Sequence, residues 1–222
     1  MIVKFLGTSS GEAIPRAGCD CVQCTSSDKK DKRRRPVLLI NKTILIDAGP
    51  DITKQLRQNQ IMPLNTVVIT HDHHDHVGGL NDLLKINKSL HVIRPKAGQH
   101  FKLDGIDFYA FKVKHSVSVE TVGLEIGSLI YIPDFAEIDW TVKYLKESKI
   151  AALDGSVLGR DFGGHLSINK IIAEVKNMRN LRKIYFTHCG HTRRPHKDMV
   201  KLVKALGDDR FSLAYDGLEL KV

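Results

Sequence analysis

Short apolar runs bounded by turn-forming residues dominate the first third of the chain: IVKFLG at 2–7, VLLIN at 37–41 and TILIDAG at 43–49. Runs of this length and β-branched content predict strands. Asp51 then opens DITKQLRQNQ, in which Ile52 and Leu56 fall four apart, the spacing of one helix face. TVVIT at 66–70 predicts another strand and LNDLLKIN at 80–87 another helix. Between 106 and 134 the pattern changes. IDFYAFKVKH, VGLEI and SLIYIPD succeed one another with no helical stretch between them, which predicts an antiparallel meander. From residue 138 the pattern alternates: helix IDWTVKYLKES, strand IAALDG, helix SINKIIAEVKNM, strand KIYFTH, helix KDMVKLVKALG, then FSLAYDGLEL with a turn at Asp216 and Gly217. Two mixed sheets with helices on their outer faces accommodate this order.

No stretch approaches the roughly 20 apolar residues needed to span a bilayer. MIVKFLG is too short for a secretory leader and reads as a first strand, so a cytoplasmic protein with no membrane partner is expected. With 222 residues and no linker or repeat, the expectation is one domain over 1–222. Nothing in the pattern specifies an oligomeric state. The net charge of +9 favours anionic partners. Its densest contribution, KKDKRRR at 29–35, reads most simply as a solvated loop. Aromatic residues make up 6% of the chain and do not interleave with that run, which argues against a single-strand-binding platform.

Two clusters carry the chemistry. THDHHDHVGG at 70–79 places four histidines and two aspartates in six positions after an apolar strand. Imidazole and carboxylate suit zinc and its neighbours, and His71 and His73, two apart in extended backbone, point the same way and can grip one ion. A turn at Asp75 and His76 can aim both at a second ion, with Gly78 and Gly79 allowing close packing before the next helix. The other cluster, GCDCVQC, holds three of the four cysteines, Cys19, Cys21 and Cys24. In a reducing compartment such crowding points to metal rather than disulfides.

The pattern His-x-His-x-Asp-His after an apolar strand resembles the signature of the metallo-β-lactamase superfamily. The resemblance implies an α/β fold, an αββα sandwich of two mixed β-sheets flanked by helices, with two divalent metal ions (zinc or manganese) at one edge. It implies further ligands in a later His, a bridging Asp and a final His. His91, His100 and His115 are available for the first of these; the strand end in FKVKHS favours His115 over His91, which begins a strand, and His100, expected in a loop. Asp134 and His188 fill the other two roles. One ion would take His71, His73 and His115, the other Asp75, His76 and His188, with Asp134 between them. Asp47 in ILIDAG resembles the superfamily's aspartate that hydrogen-bonds a ligand from behind. Two ions about 3.5 to 4 Å apart acidify a water between them and clamp the oxygens of an in-line displacement.

The cysteine spacing, GTSSGEAIP after the first strand and THCGH near the end resemble the PhnP-like cyclic phosphodiesterases. This resemblance implies a structural zinc held by Cys19, Cys21, Cys24 and His191, three residues after His188, with Cys189 a rival fourth ligand. The loop 8–36 would then be stapled to the active-site rim and ordered. The same resemblance assigns catalysis to Asp75 and to His165 in GGHLSINK, the latter as the acid that protonates the leaving oxygen; without it, His165 would be a helix-start residue. Where these relatives often carry a small hydroxyl or thiol residue after the proline, this chain has Val37.

The expected activity is a dinuclear metal-dependent hydrolase acting on small or cyclic nucleotide-like phosphodiesters through a metal-bridging hydroxide. A small anionic phosphodiester is the expected partner, ahead of nucleic acid. The alternatives are a PqqB-like iron-dependent oxidase of cofactor biosynthesis and a ribonuclease Z-like RNA-processing hydrolase, although no long Gly/Pro-rich arm for grasping transfer RNA is visible. Thioester or lactam hydrolysis is a further possibility that the cysteine loop disfavours.

Overall fold

The structure is a computed structural model that describes all 222 residues. Its strands are β1 (Ile2–Gly7), β2 (Val37–Ile40), β3 (Ile44–Ile46), β4 (Thr66–Val68), β5 (His91–Ile93), β6 (His100–Leu103), β7 (Ile106–Val113), β8 (Thr121–Ile126), β9 (Leu129–Ile132), β10 (Ile150–Asp154), β11 (Lys183–Thr187), β12 (Phe211–Leu213) and β13 (Glu219–Lys221). The helices are α1 (Ile52–Asn59), α2 (His74–Val77), α3 (Leu80–Ile86), α4 (Val142–Glu147), α5 (Ile168–Val175) and α6 (His196–Leu206).

These strands form two mixed sheets, one ordered β13-β1-β2-β3-β4-β5 and the other β12-β11-β10-β9-β8-β7-β6. The alternation of side chains within single strands explains how the sheets stack. Leu38 and Ile40 of β2, with Ile44 and Ile46 of β3, meet Phe108, Leu124, Leu129 and Tyr131 of the other sheet in the central core. The residues between them, Leu39 and Leu45, turn outward and pack with Ile52, Leu56 and Leu83 of α1 and α3. On the far side, Ile130 and Ile132 of β9 pack with Leu145, Ile168, Ile171, Ile172 and Val203 of α4, α5 and α6. Strands buried on both faces therefore read as continuous apolar runs. The result is four layers, helix–sheet–sheet–helix, as expected.

The predicted meander is β7-β8-β9, antiparallel throughout. Three details differ from the sequence reading. β6 was expected as loop; it is an edge strand paired antiparallel with β7, and His100 stacks its ring on Tyr109 at 4.2 Å. The turn expected at Asp75 and His76 is the short helix α2. The helix expected from Ile138 begins only at Val142, because Thr141 turns its hydroxyl back onto the Ile138 carbonyl at 2.7 Å. The turn at Asp216 and Gly217 carries the chain from β12 in one sheet to β13 in the other. No helix is long and apolar enough to cross a membrane.

Candidate metal centre and active-site cleft

His71, His115, Asp134 and His188, with Asp47 and Asp154 behind them, lie at or just past the C-terminal ends of strands β4, β7, β9, β11, β3 and β10, while His73 precedes α2 and Asp75 and His76 lie within it. Because β3 and β4 run parallel, as do β9, β10 and β11, these ends reach the same edge of the sandwich. Asp47 and His188 sit there in left-handed backbone, at φ 66° and 51°. Such conformations cost energy in non-glycine residues and concentrate at functional sites.

Three imidazole nitrogens converge first. His71 Nε2 and His115 Nε2 lie 3.0 and 3.1 Å from His73 Nδ1. Beside them, Asp75 Oδ2 lies 2.9 Å from His188 Nε2 and 3.6 Å from His76 Nε2, and the two imidazole nitrogens are 3.4 Å apart. Asp134 stands between the two groups, its Oδ2 2.7 Å from His76 Nε2 and 3.6 Å from His71 Nε2. All seven residues expected to ligate are thus brought together in the two predicted sets, with Asp134 between them.

The hydrogen bonds behind the ligands decide whether ions fit. The Thr70 hydroxyl gives its proton to Asp47, so it can only accept from His71 Nδ1, 3.1 Å away. His115 Nδ1 donates to the Gly164 carbonyl at 2.9 Å, and His76 Nδ1 to Asp47 at 2.7 Å. Ser156 gives its proton to Asp154 and accepts from His188 Nδ1 at 2.7 Å. In the neutral ring each of these four histidines therefore turns the lone pair of Nε2 into the centre, the tautomer a ligand requires. Asp134 is 1% exposed and neither carboxylate oxygen makes a well-formed hydrogen bond. A buried carboxylate in that condition calls for a cation. The residues fit a pair of divalent ions.

Electrostatics agree. Burial, reinforced by His76, pushes His71 down to about 2, so it is neutral at any ordinary pH. Burial opposes the charged form of His188 as well, but Asp134, Asp154 and Asp75 outweigh it and raise the imidazole to about 10. His76 is raised in the same way, against its burial, by Asp47 and Asp134.

Above this centre opens a cleft of about 420 Å³ whose wall includes His73, His165, Arg16 and Phe162. His165 is not a helix-start residue in function: α5 starts at Ile168, and the His165 ring turns into the cleft. Its Nδ1 donates to Asp154 Oδ2 at 2.7 Å and also lies 3.4 Å from Asp134 Oδ1. Burial lowers its basicity, yet Asp154 overcomes this and raises it above the ordinary histidine value.

Cys19, Cys21 and Cys24 turn their sulfurs toward His191 Nε2 at 3.7, 3.2 and 3.3 Å. Tetrahedral zinc places S and N ligands about 3.5 Å apart, so the four fit one closed site. Burial raises the Cys21 thiol, but the Cys24 backbone N–H and His191 bring it down to about 6. Cys189, the rival, is buried with its sulfur toward the Phe186 carbonyl.

One expectation about the loop 8–36 is corrected. The run 29–35 is not simply solvated, because Arg33 is 2% exposed and donates to Thr8 Oγ1, the Ala214 carbonyl and His196 Nδ1 at 2.6, 2.6 and 2.9 Å. Asp31, equally buried, accepts from the His196 backbone N–H at 2.6 Å. Val37 is wholly buried under the outer helices and cannot meet a substrate. His91, an exposed residue of β5, lies outside both ligand groups, and so does His100.

Three residues were missed. Asp154 closes IAALDG as Asp47 closes ILIDAG, and that shared pattern of an apolar strand ending in aspartate was the available signal. Ser156 carried none. Arg16, the one Arg or Lys lining the cleft, looked like part of the general positive charge; it is paired with Glu12 at 2.6 Å.

Two sheets stacked between helices, with histidines and aspartates gathered at one edge, define the architecture of a metal-dependent hydrolase. The sequence profile of the metallo-beta-lactamase superfamily matches residues 36–164, and the chain belongs to that superfamily, whose members are mostly metal-dependent hydrolases. Among solved structures, a diphosphatase of the PhnP family superposes with a TM-score of 0.84 at 25% identity, covering 100% of this chain and 97% of that one. Zinc-bound PqqB from Methylobacterium extorquens superposes with a TM-score of 0.83 at 21% identity over the full length of both chains. Human tRNase Z, short form, gives a TM-score of 0.66 at 16% identity, covering 100% of this chain and 99% of that one. An octanoyltransferase of Porphyromonas gingivalis is 25% identical over 97% of this chain but 50% of its own length. A hydroxyacylglutathione hydrolase of Prochlorococcus marinus is 29% identical over 59% of this chain and 52% of its own. The chain thus spans about half the length of that octanoyltransferase.

Proposed function

We propose that this chain is a two-metal phosphodiesterase acting on small or cyclic nucleotide-like phosphodiesters. The observation that carries the reading is His165, held on buried Asp154 in the wall of a cleft whose floor is the ligand cluster. A leaving alkoxide needs a proton, whereas hydrolysis of an ester with a good leaving group does not, and His165 is placed to give one.

When bound, two divalent ions would supply an acidified water and neutralise charge on a phosphoryl group. The chain's own residues do the rest. His71, His73 and His115 would hold one ion, Asp75, His76 and His188 the other, and Asp134 both. Asp47, Thr70, Ser156 and the Gly164 carbonyl fix their tautomers. Arg16 offers its guanidinium to the phosphate from the rim, once it exchanges Glu12 for substrate. His165 holds its Nδ1 proton against Asp154 and leaves Nε2 without a protein partner, free to pass a proton to the departing oxygen. Cys19, Cys21, Cys24 and His191 would hold a structural zinc that keeps Arg16 at the rim.

Turnover of bis(p-nitrophenyl) phosphate by protein loaded with zinc or manganese, abolished in His73→Ala, is the expected result. Protein that retains mainly iron at the seven-ligand site, with no hydrolysis under any metal, would instead support the oxidase reading.

A further inference from the structure

We infer that Phe162 is the platform for the leaving group, and that this leaving group is a planar, nucleoside-like alcohol. The inference rests on the phosphodiesterase reading and adds the half of the substrate that departs.

A single exposed phenylalanine needs no special explanation. The placement of this one does. Phe162 is 72% exposed, against 48% for Trp140, and it lines the cleft above the ligand cluster. Two backbone hydrogen bonds pair it directly with His165: Phe162 N–H to the His165 carbonyl at 3.1 Å, and the reverse at 3.0 Å. Gly163 and Gly164 close the turn between them at φ 59° and 85°, the geometry of a two-residue type I′ hairpin. Residues paired in this manner have Cα atoms about 5.5 Å apart. The group bonded to an oxygen beside His165 therefore lies within one ring's reach of Phe162.

That turn is rigid. Gly164 gives its carbonyl to His115, and a Cβ on Gly164 would come within 2.7 Å of the His115 carbonyl oxygen. Asp161 accepts from the Ser167 N–H at 2.9 Å, and Leu166 N–H donates to the Phe135 carbonyl at 2.8 Å. The backbone that carries the ring is held in place, which lowers the ordering cost of stacking a partner on it.

Phe162 is also the wall shared with a second, open cleft of about 590 Å³, which adds Arg160 and Thr192. It continues the first cleft past Ser156, Val157 and His191, which line both, and has room for a sugar and a base. An alkyl group would gain little from the aromatic face, whereas any nucleobase would stack on it. The reaction consumes one water. Its oxygen bonds to phosphorus, the bond from phosphorus to the leaving oxygen breaks, that oxygen takes the His165 proton, and the proton shed by water returns His165 to its starting state.

Adenosine 5′-(methyl phosphate) tests this in one molecule, because either ester bond can break. The metal-loaded wild type is expected to release adenosine and methyl phosphate in preference to methanol and adenosine monophosphate. Phe162→Ala should shift that product ratio toward methanol release by about 5- to 20-fold, and Phe162→Trp should preserve it. The ratio is internal, so altered folding or metal content cannot produce the shift. Predominant methanol release by the wild type, or an unchanged ratio in Phe162→Ala, overturns the inference while leaving the phosphodiesterase reading intact. Failure to turn over this ester and bis(p-nitrophenyl) phosphate alike overturns both.

Discussion

His165 donates from Nδ1 to Asp154 Oδ2 over 2.7 Å, and Asp154 is completely buried. The carboxylate thereby keeps the imidazole protonated to higher pH than an ordinary histidine. Asp154→Asn should remove that support, so the basic limb of the pH–rate profile moves to lower pH. At pH 8 the rate on an alkyl phosphodiester should fall by about 10²-fold or more, while a nitrophenyl ester, which needs no acid, loses far less. Bound metal, measured in parallel, separates this from disturbance of Ser156 and His188, which Asp154 also supports. An equal loss on both esters would refute the role.

Metal uptake should release protons. Without ions, His188 titrates near 10 and His76 is raised as well, so both rings carry protons at pH 7 that an ion must displace. Affinity at this centre is expected to rise with pH by about tenfold per unit for each proton displaced, until the His188 value of about 10 is passed. The sign for stability runs the other way. A raised imidazole stabilises the metal-free protein below its unfolded value near 6.5, and this contribution fades as pH rises toward 10. Calorimetric titration with zinc in buffers of different ionisation enthalpy counts the protons; none released would contradict the assignment.

Cys21→Ser should cost one equivalent of zinc and spare the active-site metals. Elemental analysis checks the count, and a melting point lower by roughly 10 °C is the expected companion. Loss of all metal together would mean the two sites are not separate.

Arg33→Met leaves Thr8 Oγ1, the Ala214 carbonyl and His196 Nδ1 buried without their donor. A destabilisation of about 3 kcal/mol in urea unfolding is expected, since a buried acceptor left without its donor costs about 1–3 kcal/mol. If Arg33 were part of a solvated loop, the change would stay within about 0.5 kcal/mol.

The ligands were readable from the chain because strand ends announce themselves: an apolar run stops, and the next polar residue faces the edge. His71, His115, Asp134 and His188 all follow such runs. Helices were readable by type but less well by boundary, as α4 shows, since a side chain to backbone bond at Thr141 sets its start. What stayed hidden depends on contacts distant in sequence. Arg33 is buried only because Ala214 and His196, more than 160 positions away, close over it. Arg16 and Phe162 face the cleft from two separate loops, and no local pattern distinguishes them from ordinary surface residues.

The loop that carries Arg16 has two fastenings of different chemistry. Its apex gathers Cys19, Cys21, Cys24 and His191, which would hold a zinc ion, and its base is tied by Arg33 and by the bridges pairing Ser9 with Cys189 and Ile14 with Arg33. A chelator or an oxidant can undo the first and leaves the second untouched. Loss of such an ion would release the segment around Cys19 to Cys24, which neighbours Arg16, while the base of the loop and the ligand cluster below keep their own bonds.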